Sequence, residues 1–357
     1  MGVEFGLAQV ELDRCVQLKL RTIHLPLRHV FRIAHGMKVV QENVLVELRE
    51  GDLAGFGEGA SLPYYGVTAA DMVAALEAAR SEIQRWPLAD PAELWQRALP
   101  LLAHNRFALA ALDAAAHDLW GKKLGRPTYR VWGLELDRIP LSNYTLGIDT
   151  IENTLEILRE FALWPIYKIK LGTPDDLKIV RELRRHTTAL FRVDANCSWT
   201  VEQAIANSRE LKALGVEFIE QPLKADNWAG MKRVFAESAL PVVADESCLV
   251  EGDVPRCLGF FHAVNIKLVK CGGMTPARRM IDIARRLGLK VMIGCMTEST
   301  VGISAIAQFL PLVDYVDMDG AALIARDVAS GVRLEKGRAV FPEENGNGVR
   351  LLERQTT

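Results

Sequence analysis

Apolar and polar positions change their rhythm once along this chain, near Arg138. Before it, VQLKLRTIHLPL (16–27) and NVLVELRE (43–50) alternate as half-buried strands do, with a loop expected around RIAHGMK (32–38). GFGEGASLPYYG (55–66) is glycine-rich and reads as a loop. Three helical patterns follow between Ala69 and Leu124, the last stopped by Gly125 and Pro127. After Arg138, short apolar runs alternate with helical stretches: IPLSNYTLGI, YKIKLG, FRVDANC, EFIEQPL, PVVADES, AVNIKLV, VMIGCMT and VDYVDMDG. Polar residues mark the ends of these runs every 22 to 28 residues, the length of one strand, one helix and two loops. Eight strands with seven helices between them predict an α/β fold, a (β/α)7β modified TIM barrel, behind an N-terminal α+β capping domain. The expected boundaries are 1–135 for the cap, 136–325 for the barrel and 326–357 for a C-terminal segment. That segment has no helical pattern, a turn cluster at ENGNG, and a short strand expected at VRLL.

Composition narrows the class without changing the fold. The chain has 357 residues, 49% hydrophobic and 25% charged, with a formal net charge of −2. No basic excess points to nucleic acid, and no apolar run is long enough to span a membrane. MGVEFGLAQVELDRC shows neither the basic-then-apolar order of a secretion signal nor, with Gly6, a myristoylation pattern. Cys15, Cys197, Cys248, Cys257, Cys271 and Cys295 form no C-x-x-C pair and no zinc-ligand spacing. They read as reduced thiols, and the expected location is cytoplasmic.

The strand ends carry the chemistry. In a parallel barrel they form the C-terminal face, where active sites are built. Asp194, Glu220 and Asp245 end three successive strands. Any one of them could be a helix N-cap, but three on adjacent strands offer an all-oxygen ligand set suited to Mg2+. Lys168 and Lys170, two apart, project to one side of their strand, and Lys267 lies four strands further round. Removing a proton next to a carboxylate needs a cation on the carboxylate oxygens and a neutral base. A lysine serves as that base when a second ammonium nearby favours its neutral form, and Lys168 is placed to do this for Lys170. Two lysines facing each other across the barrel mouth predict a 1,1-proton transfer, a racemisation or epimerisation. Lys270 reads as structural. Glu246 is expected to point away from Asp245, with a supporting role behind the ligands as its alternative, and Asn196 to support Asp194 or to touch the metal's shell through a water.

YKIKLG, RVDANCSWT, FIEQPL, VADES, NIKLVKCGG and GCMTES, with ALDAAAHDLWGKKLGRPTYRVWG before them, resemble the muconate-lactonizing (mandelate racemase/muconate lactonizing enzyme) branch of the enolase superfamily. The resemblance spans nearly the whole chain. It implies Asp194, Glu220 and Asp245 as Mg2+ ligands, Lys170 and Lys267 as acid/base lysines, and Lys168 as their helper. Asp317 and Asp319 in VDYVDMDG resemble the Asp-x-Asp of dipeptide epimerases, where two carboxylates hold a free substrate ammonium. Thr145, Cys295 and Thr297 match further substrate-lining positions. The resemblance therefore implies an isomerase with a small-molecule dipeptide substrate, working as a homo-oligomer. N-acylamino acid racemases and o-succinylbenzoate synthases of the same branch remain the alternative, with a non-catalytic small-molecule-binding barrel behind them. One position departs from the pattern: L-Ala-D/L-Glu epimerases carry an arginine in the first cap loop where this chain has Gly36, with Arg28, Arg32 and Lys38 as the alternative cations, none of them placed there by the sequence. Gly36 and Met37, with Tyr64 and Tyr65 in the second loop, predict room for a larger or apolar side chain.

Overall fold

The structure is a computed structural model that describes residues 15–33 and 36–353. The N-terminal segment on which the absence of a leader was read lies outside the described residues, as do Ala34 and His35.

Three antiparallel strands open the fold: β1 (Gln17–Ile33), β2 (Gly36–Glu50) and β3 (Leu53–Ala60). The β1–β2 ladder runs out to Arg32↔Met37 and Ile33↔Gly36, so the first cap loop is tighter than the polar run RIAHGMK predicts. The glycine-rich stretch read as a loop is also a strand, with Val46 paired to Gly57 and Leu48 to Gly55. Its glycines serve packing. Helix α1 (Ala69–Ile83) and α2 (Pro91–Leu102) precede α3 (Arg106–Lys123), which lies directly on β3. A Cβ on Gly57 would stand 2.0 Å from the Ala111 carbonyl, and one on Gly55 2.3 Å from that of Ala115. Glycine is what lets helix and strand approach this closely. The helices start at side-chain caps from Thr68, Asp90 and Asn105. Helix α3 is buried on nearly every side because it is wedged between the cap sheet and the barrel.

The barrel strands are β4 (Tyr144–Leu146), β5 (Ile166–Lys170), β6 (Leu190–Asp194), β7 (Val216–Glu220), β8 (Val242–Ala244), β9 (Ala263–Lys267), β10 (Lys290–Gly294) and β11 (Tyr315–Asp317). They are parallel and ordered as in sequence, and a Ser142↔Val316 bridge joins the two ends. Between them run α4 (Ile151–Glu160), α5 (Asp176–Arg184), α6 (Val201–Ala213), α7 (Trp228–Glu237), α8 (Met274–Arg286) and α9 (Thr300–Ala307). The β8–β9 crossover departs from the predicted helix. Two 3₁₀ turns, Glu251–Asp253 and Pro255–Cys257, make it, and Pro255 stands where a helix would need its amide. Val193, Ile219, Val242, Ile266 and Ile293 are fully buried in the apolar core of the barrel. The alternate residues point inward.

Register places the chemistry. Lys170 pairs with Asp194, Asp194 with Glu220, and Gly294 with both Lys267 and Asp317. All these strand ends therefore lie at one mouth. After β11 the chain returns to the cap: Ala325 donates its amide to the Pro26 carbonyl, and Ala329–Ser330 pairs with Arg350–Leu351, the short strand expected at VRLL.

Candidate active site

Asp194, Glu220 and Asp245 are all buried, and each offers a carboxylate oxygen within 4.8 Å of the others. Charges at that depth require partners. Lys170 Nζ lies 2.6 Å from Asp194 Oδ2, and Lys168 Nζ lies 3.2 Å from the same oxygen. Lys168 also reaches Asp317 Oδ2 at 2.7 Å. Across the mouth, Lys267 Nζ donates to Asp245 Oδ2 at 2.7 Å. Lys270 is part of the site too. From the turn Leu268–Cys271 its ammonium binds the Asp245 carboxylate and the carbonyls of Asp245, Cys248 and Asn265. Four lysine side chains thus face the carboxylates of Asp194, Glu220, Asp245 and Asp317.

The field of this cluster sets protonation. Burial alone would lower the Lys168 pKa, but the carboxylates of Asp317, Glu220 and Asp194 hold it well above the usual range. Burial would raise Asp245, yet Lys267 and Lys270 keep it well below the usual carboxylate value. Glu220 is pushed up to about 7 by burial, which outweighs Lys168, and by the neighbouring carboxylates. Its Oε1 accepts from Asn265 Nδ2 at 2.8 Å. Its Oε2 has Lys168 Nζ at 2.7 Å but off the direction a hydrogen bond needs, so this buried oxygen has no hydrogen-bond partner. A buried carboxylate oxygen in that state, within a trio of hard oxygen donors, fits a divalent cation such as Mg2+.

Backbone strain follows two of the three carboxylates. Asn196, Cys197 and Gln221, directly after the first two carboxylates, have φ of 42°, 65° and 34°. The amide of Asn196 donates to Asp194 Oδ1 at 2.9 Å, while its side chain turns to Glu246. Gln221 Oε1 accepts from the amides of Asp245 and Ser247, fixing the backbone of the third carboxylate. Gln221 and Asn265 were not picked out in the sequence. The available signals were their positions, one after Glu220 and two before Lys267. Glu246 corrects an expectation. It lines the cavity rather than pointing away, because β8 ends at Ala244 and strand alternation no longer applies at 245 and 246. Burial and the Asp245 charge push its pKa to about 8.

A cavity opens above the cluster. Thr145, Lys170, Lys267, Cys295, Thr297, Asp317 and Asp319 line its floor and sides. Asp317 is occupied by Lys168 and, at 2.7 Å, by Asn143 Nδ2. Among the described residues the Asp319 carboxylate accepts only from the Thr145 amide and hydroxyl, and no cation pairs with it. Burial and the charge of Asp317 raise its pKa to about 7. The cap closes the cavity with Phe31, Ile33, Met37, Leu62, Tyr64 and Tyr65, an apolar wall with Gly36 in it. Among the described residues one cation stands in that wall, Lys38, its pKa pulled down to about 8 by burial. Arg28 and Arg32 are turned to Ala322 and Met37 and do not line the cavity. No helix among the described residues is long and apolar enough to cross a membrane.

Residues 16–133 match the mandelate racemase / muconate lactonizing enzyme N-terminal domain, and 153–355 the enolase C-terminal domain-like family. An L-Ala-D/L-amino acid epimerase of Flavobacterium johnsoniae is 52% identical, over 94% of this chain and 100% of that protein. Among solved structures, a dipeptide epimerase of Methylococcus capsulatus complexed with Mg and L-Arg-D-Lys is 33% identical with a TM-score of 0.86, over 94% of this chain and 99% of that one. A dipeptide epimerase of Enterococcus faecalis V583 complexed with Mg and L-Leu-L-Tyr is 28% identical with a TM-score of 0.89, over 94% and 99%. The two matched segments include the cap and the barrel strands that carry the lysines and carboxylates, and this chain belongs to the mandelate racemase/muconate lactonizing enzyme family of the enolase superfamily.

Proposed function

We propose that this protein is an Mg2+-dependent dipeptide epimerase that inverts the Cα of the C-terminal residue of L,L-dipeptides. The observation that carries this reading is the position of Lys170 and Lys267 on opposite sides of one carboxylate trio. Asp194, Glu220 and Asp245 would hold Mg2+, which when bound supplies positive charge to the substrate carboxylate as its α-proton leaves. Lys170 takes the proton from one face of Cα, and the Lys267 ammonium delivers one to the other. In the reverse direction the roles exchange. Lys168 stays charged among its carboxylates and does not compete as a base. Asp319, held by Thr145 and free of a cation partner among the described residues, binds the substrate ammonium, with Asp317 behind it. An ammonium there favours the ionised form of Asp319. The apolar cap wall accepts the side chains.

The N-acylamino acid racemase alternative fits this end of the site less well. A succinyl group would bring a carboxylate against Asp317 and Asp319 instead of a cation. The test is incubation in D2O with Mg2+ of an L-Ala-L-Xaa panel beside N-succinyl amino acids. The expected result is deuterium at the C-terminal Cα of dipeptides together with the epimer. Turnover of the succinyl compounds and of no dipeptide would overturn the assignment.

A further inference from the structure

The loop that lines the substrate cavity after β10 is built on the cap as much as on the barrel. Glu58, on β3 and almost fully buried, reaches across to the start of α9. Its carboxylate accepts from the Ser299 amide at 3.0 Å, from the Ser299 hydroxyl, and from the Gly302 amide at 3.0 Å. On its other side it accepts from Asn43 Nδ2 at 2.6 Å, and the same amino group donates to the Thr297 carbonyl at 3.0 Å. The chain of bonds continues toward the cavity. Asn43 Oδ1 accepts from Gln41 Nε2 at 2.7 Å, and Gln41 Oε1 accepts from Lys38 Nζ at 2.6 Å. Every donor points the same way, from the Lys38 ammonium through two buried amides to the Glu58 carboxylate. A run polarised by a cation at one end and an anion at the other fixes both amide orientations. The loop is gripped on its far side as well. A Cβ on Gly320, next to Asp319, would stand 2.6 Å from the Met296 carbonyl, so the loop and the Asp319 turn are in close contact.

We propose that Glu58 is a positioning residue for the substrate: through Asn43, Ser299 and Gly302 it sets the Cys295–Thr297 wall, and through Gln41 it holds Lys38 in register with it. This inference rests on the epimerase reading for its kinetic test but not for its structural one. Glu58→Gln puts a donor where every neighbour already donates. It should raise the dipeptide KM about tenfold while lowering kcat much less. Glu58→Asp should recover part of that loss. Lys38 and Glu58 share no direct contact, so a merely structural Glu58 would give effects that multiply with those of Lys38→Met. The expected result is that the double variant has a KM no higher than the worse single one. A parental KM in Glu58→Gln, or effects that multiply, would overturn the proposal. Should Glu58→Gln not fold, Asn43→Ser cuts the same link and leaves the Glu58 cap on α9 intact, with the same KM outcomes expected. If the parent protein turns over no dipeptide, the functional reading fails, and hydrogen exchange decides the positioning role. The amides from Thr297 to Gly302 should exchange faster in Asn43→Ser than in the parent, and equal rates would refute it.

Discussion

Lys38 shows how much one side chain in a cap wall can decide. The other pocket lysines sit on carboxylates, whereas this ammonium has, among the described residues, only the neutral Gln41 oxygen, 2.6 Å away. Its remaining donors are available to an oxygen on the substrate's side chain. That answers the departure at Gly36: the arginine expected in the first cap loop is absent, but a cation enters the cavity from two positions further along. A hydrogen bond to a charged group contributes about 1.5–3 kcal/mol. Lys38→Met should therefore lower kcat/KM for L-Ala-L-Glu relative to L-Ala-L-Leu by about tenfold or more. The ratio should also respond to pH. Burial holds the Lys38 pKa near 8, below its ordinary 10.5. The cation is present below about pH 8 and lost above it, so the preference for the acidic dipeptide falls as pH rises through 8. Stability moves the opposite way: the unfolded chain binds the proton more tightly, so the cost of burying the charge applies below pH 8 and is relieved between 8 and 10.5. Competition between the two dipeptides cancels titrations that both share. A ratio that is flat with pH and unchanged in Lys38→Met would remove this residue from recognition.

At the scale of elements, legibility followed period. Strand alternation and register put Lys168, Lys170, Asp194, Glu220 and Lys267 on inward-facing strand ends, and those positions could be read by counting. What could not be read depended on where an element stops or on partners far away in sequence. Glu246 escaped because β8 ends one residue before Asp245. The glycines of β3 looked like loop residues because the helix that requires them lies more than fifty positions later. Lys270 and Asn265 join the site through bonds to Asp245 and Glu220, 25 and 45 positions away. Gly294, the last residue of β10, belongs to the same class. A Cβ there would stand 2.5 Å from Asn265 Oδ1 and 3.0 Å from Lys267 Cε. Its lack of a side chain makes room for Lys267, the proposed acid/base lysine, and for the amide that orients Glu220. Gly294→Ala should displace both while leaving the barrel folded. Displacement of a reacting group by about 1 Å can cost about 100-fold, so kcat should fall at least that far with an unchanged circular dichroism spectrum. Near-parental kcat would show that Lys267 does not need the geometry seen here.

For the whole molecule, the charge cluster is the place where cap and barrel share a fate. Trp95 of α2 donates to the Gly272 carbonyl at 2.8 Å, and Asp113 of α3 accepts from the Thr275 amide at 2.7 Å. Both anchors lie within a few residues of Lys270, which holds Asp245. Anything that relieves repulsion among Asp194, Glu220 and Asp245 therefore stabilises cap and barrel together. A ligand that binds only the folded state, at about 100 times its Kd, adds about 2.7 kcal/mol. For a domain of roughly 150–250 residues each kcal/mol shifts Tm by about 2–4 °C, and by somewhat less in a longer chain. Adding Mg2+ to chelator-treated protein should therefore raise Tm by several degrees, progressively with concentration, in a single transition. The same titration should restore Cα exchange in D2O. Glu220→Gln keeps the Asn265 contact through its side-chain carbonyl but loses one anionic ligand. It should remain folded, and its Tm should respond to Mg2+ far less. A parental Tm that ignores Mg2+ from chelator to millimolar concentrations would remove the ion from the site. A Tm that rises equally in Glu220→Gln would place the ion elsewhere.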